Sequence, residues 1–436
     1  MRIVSLLLLS ALGGCASSPF APLSYEFVTQ PARASQSRIS EHAARVGGAL
    51  DAATLERDVR FLAAPALQGR RRGTDGSARA RAHIVTRLQA AGLAPLFDGS
   101  FEQPTRASDE SETTYAVNVG AIYRAAEPDA SWIVLVAHYD HRGMIDGEVQ
   151  AGADDNASSV ALLLALGDAL GRARPALRRH VVLLFPDAEE PPDIRTERMG
   201  SSWFWRHPPL PPDRLHLALV FDLMGGRATP ELRTGGLGNA LFVLGGEADP
   251  GLTALVGDLA PVPGVAPVPL SLSMIEAMPY VPGRRFSRSD YHGLREHGQR
   301  PFLFLTTGRT ETYHTAADTP DTLDYDRLSA AARWVCTLAV HAADADTLLG
   351  WRDFRADART DARTMLRLYA VIEANARVPW LLRRALADDR RQVEALLREW
   401  DQGTPPTTEA YRTLLLASIR LQAALWHPSG WWFALW

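Results

Sequence analysis

No lysine occurs anywhere in the 436 residues; all 46 basic side chains are arginine. A P-loop lysine, a Schiff-base enzyme and a serine–lysine hydrolase are thereby excluded together. No G-x-S-x-G stretch is present, so a nucleophile elbow is excluded as well. Cysteine is nearly absent: Cys15 and Cys336 are the only two, and they imply no disulfide framework. Cys336 falls inside a helical pattern (AARWVCTLAV) and reads as a small core residue. Excess charge is also lacking. A net charge of −4 and a pI near 6.3 give no reason to expect nucleic acid as a partner. What is present is length and apolar content, 46% hydrophobic, enough for one large domain and an accessory one.

Residues 1–15, MRIVSLLLLSALGGC, have a charged start, an apolar run and small residues before Cys15. This is the pattern of an export signal, too short for a permanent membrane span. LGGC resembles the bacterial lipobox, which implies lipidation of Cys15. Ala16 and Ser17 follow in place of an aspartate. By that resemblance the chain is expected in a Gram-negative cell envelope, lipid-anchored in the outer membrane and facing the periplasm. Residues 16–40, rich in Ser, Pro and Ala, read as a tether. Residues 41–350 read as the main domain.

Within that domain, helical patterns (LERDVRFLAAPAL and ARARAHIVTRLQAAGL) flank an arginine-rich loop, Gly69 to Gly76, which reads as solvated surface. Apolar strands follow: Tyr115 to Tyr123, Trp132 to Ala137, His180 to Phe185, LHLALVF ending at Phe221, Ala240 to Gly246, and FLFLTTG from Phe302. Their length and branching suit buried parallel strands, and their alternation with helical stretches points to a doubly wound α/β sheet. The Pro-rich stretch 260–286 is too irregular for a packed element and is expected to be a lid or pocket wall. A helix from about Asp326 to Leu349 closes the domain. Residues 351–436 form a C-terminal all-helical extension, with helices over about 352–375, 378–401 and 407–425. The tail WHPSGWWFALW is either a membrane-interface anchor or a cap that packs on the protein.

Chemistry gathers at the strand ends. His138 and Asp140 end one strand, Asp187, Glu189 and Glu190 end a second, and Asp222 ends a third. Asp155 stands in GADDNASS, which opens a helix, and His314 lies in the loop beyond the last strand. The carboxyl edge of such a sheet is where ligands bind. Taken singly, His-x-Asp reads as a capped loop and GADDN as a helix cap. Together, His138, Asp155, Glu190, Asp222 and His314 are five potential metal ligands on one edge. Nitrogen with carboxylate oxygen suits zinc better than calcium or magnesium. A bridging aspartate with one histidine and one further carboxylate per metal satisfies a two-metal centre. Glu189, beside a ligand, is placed to act as general base, and Asp140 to take the other ring N–H of His138.

HYD, GADDNAS, AEE, FDLMG and YHTAADT, in that order, resemble the co-catalytic dizinc aminopeptidases of the bacterial leucyl aminopeptidase family, from about Leu55 to Leu348. The resemblance implies a mostly parallel mixed sheet of about eight strands between helices. It further implies two zinc ions, one on His138 and Asp222 and one on Glu190 and His314, bridged by Asp155, with Glu189 as general acid/base and a peptide as substrate. Two departures stand out. Glu190-Pro-Pro-Asp replaces a Gly-Leu-rich run, with Met199-Gly200-Ser201 as a displaced Gly-Ser element. The family's Ser-Asp-His appears as Ser289-Asp290-Tyr291-His292, where Asp290 keeps its place and His292 does not. Asp290 and Tyr313 are expected at the substrate pocket.

The expected activity is removal of N-terminal residues from peptides. A single-zinc glutaminyl cyclase, which usually carries Trp where this chain has Tyr313, is the alternative, and a non-catalytic scaffold of the same fold is the third reading. Arg284 and Arg285 are either binders of a substrate carboxylate or surface charge.

Overall fold

A computed structural model describes residues 24–29, 41–277, 286–346, 348–374, 378 and 380–426. The expected signal segment with Cys15, most of the tether, Arg284, Arg285 and residues 427–436 of the tryptophan-rich tail lie outside the described residues.

The strands, in chain order, are β1 (Glu26–Phe27), β2 (Ala94–Pro95), β3 (Glu102–Arg106), β4 (Thr114–Tyr123), β5 (Trp132–Val136), β6 (Gly143–Ile145), β7 (Glu148–Gln150), β8 (His180–Phe185), β9 (Leu215–Phe221), β10 (Ala240–Leu244), β11 (Ala266–Leu270), β12 (Phe302–Thr306) and β13 (Arg355–Ala356). Nine of them make one sheet in the order β11-β10-β12-β9-β5-β8-β4-β2, with β3 also on β4. The α/β sheet between helices is as expected, one strand larger, and its parallel part is confined. Only β12, β9, β5 and β8 run parallel as a block. β10 runs against β12, and β4 against β8. The carboxyl end of β10 therefore lies on the opposite edge, where Glu247 just beyond it accepts the N–H groups of Gly245 and Leu272 at 3.0 and 2.8 Å.

The four central strands are buried on both faces, so period 2 sorts their side chains between two cores. Ile133 and Leu135 of β5, with Leu183 of β8 and Leu219 of β9, join the core under helices Asp75–Ala90, Ser159–Ala173 and Tyr325–Asp344. Trp132, Val134 and Val136, with Leu184 and Val220, join the other, which contains Phe204, Trp205, Tyr291 and Phe302.

The stretch expected to be irregular contains an element after all. Ala266–Leu270 pairs in parallel with β10 at the sheet edge, and Pro267 and Pro269 flank the buried Val268. An edge strand tolerates proline because half of its backbone groups have no strand to meet. The apolar pattern was hidden by the prolines.

The C-terminal helices Ala358–Ala374, Trp380–Asp401 and Thr408–Trp426 share a core with Met274 and Ala277, just beyond β11. Asp361, fully buried, accepts from the Ser271 N–H at 2.7 Å and from the Tyr411 hydroxyl at 2.7 Å. Ser418 and Gln422 both donate to the Met274 carbonyl, at 2.8 and 2.7 Å. Part of the expected tether is packed here too: β1 pairs in parallel with β13, and the Tyr25 ring meets Tyr411 edge-on at 4.9 Å. Tyr411→Phe removes a hydrogen bond to a buried carboxyl and is expected to cost about 1.5–3 kcal/mol. A urea midpoint equal to that of the unaltered chain would contradict this role for Tyr411.

Candidate metal centre

Most of the donors follow strand ends. β5 delivers His138, Asp140 and His141; β8 delivers Asp187, Glu189 and Glu190; β9 delivers Asp222; His314 and Asp318 follow β12. Asp154 and Asp155 come from the irregular turn Ala153–Ser158 that opens helix Ser159–Ala173. That turn is stitched to β9: Asn156 Nδ2 donates to the Phe221 carbonyl at 3.0 Å, and the Leu223 N–H donates to Asn156 Oδ1 at 3.4 Å. The Asp155–Asn156 peptide is cis.

The five residues expected as ligands come together. His138 Nε2 lies 3.6 Å from Asp155 Oδ1, 3.7 Å from Glu189 Oε2 and 3.7 Å from Asp222 Oδ1. His314 Nε2 lies 3.2 Å from both Asp155 Oδ2 and Glu190 Oε2. Asp155 thus turns one oxygen to each histidine. A sixth donor, His141, was not anticipated: its Nδ1 is 2.6 Å from Glu190 Oε1 and 3.9 Å from Asp155 Oδ2. His138, Glu189 and Asp222 form one cluster with donor atoms within 4.8 Å of one another, and His141, Asp155 and Glu190 form a second.

These residues fit a metal on a physical test. His138 Nε2, Glu189 Oε1 and Asp222 Oδ1 are buried and make no hydrogen bond, an arrangement that is costly unless another partner satisfies them. Separations of 3.2–3.7 Å match the edge of about 3.4 Å of a tetrahedron with zinc–ligand bonds of about 2.0–2.1 Å.

The paired glutamates are driven apart electrostatically. Burial pushes the Glu189 carboxyl well above the usual range, and His138 only partly opposes this. Burial acts on Glu190 too but is outweighed by His141 and His314, which hold it well below that range. His314 is raised to about 9: burial lowers it, and Asp155 and Glu190 more than compensate.

A supporting layer fixes the donors. The Asp140 carboxylate accepts the N–H groups of Glu189 and Glu190 at 3.0 and 3.2 Å, so it shapes the β8 loop. His138 Nδ1 lies 3.3 Å from the Asp140 backbone carbonyl and 3.6 Å from its carboxylate, so the carbonyl rather than the carboxylate is within hydrogen-bond distance of the ring. Asp318 accepts the N–H groups of Asp154 and Asp155 at 2.8 and 3.1 Å. Arg142 Nη1 donates to the His314 carbonyl at 2.8 Å. The Tyr313 ring stacks on His314 at 3.9 Å. Asp290 is buried, and burial raises its carboxyl to about 7, with His138 the main opposing charge. His292 belongs to neither donor cluster.

The arginine-rich loop is not all solvated surface. Arg70 is fully buried and donates to four carbonyls: Leu62 at 2.6 Å, Ala151 at 2.7 Å, Tyr139 at 2.9 Å and Gly152 at 2.9 Å. It ties the His138 loop to the Asp155 turn. Burial lowers its guanidinium to about 10, leaving it charged at neutral pH. Gly69 beside it has φ +69°, and a Cβ there would sit 2.3 Å from the Gln150 carbonyl oxygen, so the loop closes this tightly only with glycine. Nothing distinguishes Arg70 from Arg71 and Arg72 in the sequence. His141 did carry a signal, a second histidine three residues after His138.

A mixed α/β sheet with a nitrogen–oxygen donor cluster on its carboxyl edge is an arrangement that could hold a metal ion. The Peptidase family M28 model matches residues 118–339, half of the chain and every donor above. The chain belongs to peptidase family M28, which supports a zinc-dependent exopeptidase at the level of the family. It is 27% identical over 235 residues to the uncharacterized protein YfbL of Escherichia coli K12, covering 51% of this chain and 69% of that one. Among solved structures, LapB from Legionella pneumophila aligns with a TM-score of 0.54 at 16% identity, covering 74% of this chain and 78% of that one. A Bacteroides thetaiotaomicron glutaminyl cyclase bound to N-acetylhistamine aligns at 0.50 and 18%, covering 67% and 98%. At such identities these likenesses show the fold.

Arg70→Met leaves four buried carbonyls without their donor and is expected to cost the metal-free protein about 3–5 kcal/mol, with Arg70→Lys recovering part. Chemical denaturation of the three proteins checks this, and equal midpoints would remove Arg70 from the supporting layer.

Proposed function

We propose that the chain is an exported, zinc-dependent aminopeptidase that removes N-terminal residues from peptides. The observation that carries this reading is Asp155, shared between two donor sets, with Glu189 buried beside them. His138 and Asp222 would hold one zinc, Glu190 and His314 a second, with Asp155 common to both and His141 a further donor on the Glu190 side. Zinc bound there supplies Lewis-acid polarisation of the scissile carbonyl and lowers the pKa of water.

The protein's own groups do the rest. Glu189 takes a proton from the attacking water and returns it to the departing amine, for which a carboxyl raised by burial is suited. Asp140 fixes the Glu189 and Glu190 backbone so that one carboxyl can act while its neighbour stays a ligand. Tyr313, stacked on His314, forms one wall of the site. Export through a lipid anchor on Cys15 into the cell envelope is part of the proposal and is supported by the LGGC segment.

The test is hydrolysis of a panel of aminoacyl-p-nitroanilides, with N-acetylated and glutaminyl members. Release from free amines only, abolished by a chelator and restored by zinc at two ions per chain, is the expected result. One zinc per chain with pyroglutamate formation would establish the cyclase instead. Glu189→Gln is expected to keep fold and zinc content while losing about 10²–10⁴-fold in kcat, the usual range for a general base. A variant that retains turnover would displace Glu189 from that role.

A further inference from the structure

Beside the loop that carries His314 lies a cavity of about 160 Å³ whose polar lining the proposed mechanism does not use. We propose that this cavity is a second, oxygen-lined metal site that takes a monovalent alkali cation, sodium or potassium. It is separate from the nitrogen–oxygen donor clusters and does not depend on the peptidase reading.

Its charged donor is Asp154, one residue before Asp155 and only 2% exposed. The two carboxylate oxygens differ. Oδ1 accepts the Gly225 N–H at 2.8 Å and the Ser158 hydroxyl at 3.2 Å. Oδ2 is buried and accepts no hydrogen bond among the described residues. A buried carboxylate oxygen left in this way is costly, and a cation in the adjoining cavity removes the cost. Thr310 stands across from it: a Cβ on Gly226 would sit 2.8 Å from Asp154 Oδ2 and 2.7 Å from Thr310 Cγ2. The two side chains therefore flank a gap that glycine keeps open.

Hydroxyl oxygens supply the rest. Thr229, Thr310, Thr312 and Thr322 all line the cavity. Thr310 and Thr312 share a hydrogen bond at 2.9 Å, Thr322 donates to the Thr319 carbonyl at 2.7 Å, and Thr229 accepts the Leu232 N–H at 3.3 Å. Each of these bonds leaves the hydroxyls with lone pairs to offer a cation. Oxygen donors without imidazole or thiolate suit a hard cation and not zinc. The charge balance sets the valence. Arg227 also lines the cavity, its Nη2 on the Asp321 and Leu323 carbonyls at 3.4 and 3.1 Å, and Arg327 holds the Gly226 carbonyl at 2.6 Å. Neither pairs with Asp154 Oδ2, yet their positive charge repels a divalent ion twice as strongly as a monovalent one. Glu311, the other acid of the lining, has a partner of its own. The cavity joins the turn Ala153–Ser158 to the loops after β9 and β12, and Thr312 stands two residues before His314. A cation held there braces the segments that carry Asp155 and His314.

Thermal unfolding of the zinc-loaded protein in sodium, potassium and tetramethylammonium chloride at equal ionic strength tests this, since tetramethylammonium carries the charge but cannot be coordinated by oxygen. The expected result is a saturable rise in Tm of about 3 °C or more in sodium or potassium over tetramethylammonium. The rise should be absent in Asp154→Asn and smaller in Thr310→Val. Equal Tm values in the three salts would mean a cavity filled by water alone and would overturn the proposal. A response undiminished in Asp154→Asn, or one given by calcium alone, would overturn it too. If Asp154→Asn does not fold, sodium-23 linewidths decide: broadening by the unaltered protein that Thr310→Val reduces supports the site, and its absence rejects it.

Discussion

The sharing of Asp155 between two sets of donors is the constraint on which the rest of the site depends. Its carboxylate faces His138 on one side and His314 on the other, so a small rotation would break both sets at once. The surrounding structure removes that freedom. Asp318 takes the N–H of Asp155 and of the residue before it, Asn156 ties the next residue to β9, and Arg70 grips the carbonyls at 151 and 152. Several buried carboxylates held a few ångströms apart repel one another without metal. A charged Arg70 beside Asp318, Asp155, Asp140 and Glu190 offsets part of that repulsion.

The adjacent glutamates show how one loop makes two different acids. Both are buried to a similar degree, so burial alone would treat them alike. Glu190 has two histidines within 3.2 Å, whereas Glu189 has only His138, at 3.7 Å and shared with Asp155 and Asp222. Histidine supply, set by which way each side chain leaves the Asp140-clamped loop, decides which glutamate is held as an anion and which is pushed toward its protonated form.

The central strands and the donors His138, Glu190 and Asp222 were legible because a parallel strand buried on both faces is an unbroken apolar run, and a charge just past its end lies at the ligand edge; Asp155 and His314 were legible from the GADDNASS and YHTAADT segments instead. The proline-bearing edge strand was not legible, since Pro267 and Pro269 mask its alternation. Asp318 was visible as part of YHTAADT but without a role, because accepting two N–H groups leaves no mark in the sequence. The same holds for Arg70, whose importance comes from where the chain folds around it. The C-terminal helices could be read as helices, but their seat on Met274 and Ser271 is a long-range contact that periodicity does not encode.

The missing lysines acquire a structural meaning at this level. Arg70 serves four carbonyls on three segments, and Arg327 serves the carbonyls of Gly226 and Ala240 at 2.6 and 2.5 Å. Arg295 meets Glu276 at 2.6 Å while lying near the rings of Tyr291 and Phe302. Each is a case of one planar cation with several fixed donors satisfying acceptors from different parts of the chain. An ammonium has three donors on a flexible stem and sheds its proton more readily when buried. In this fold arginine therefore joins loops as well as carrying charge, and Arg70 does so at the turn that carries Asp155.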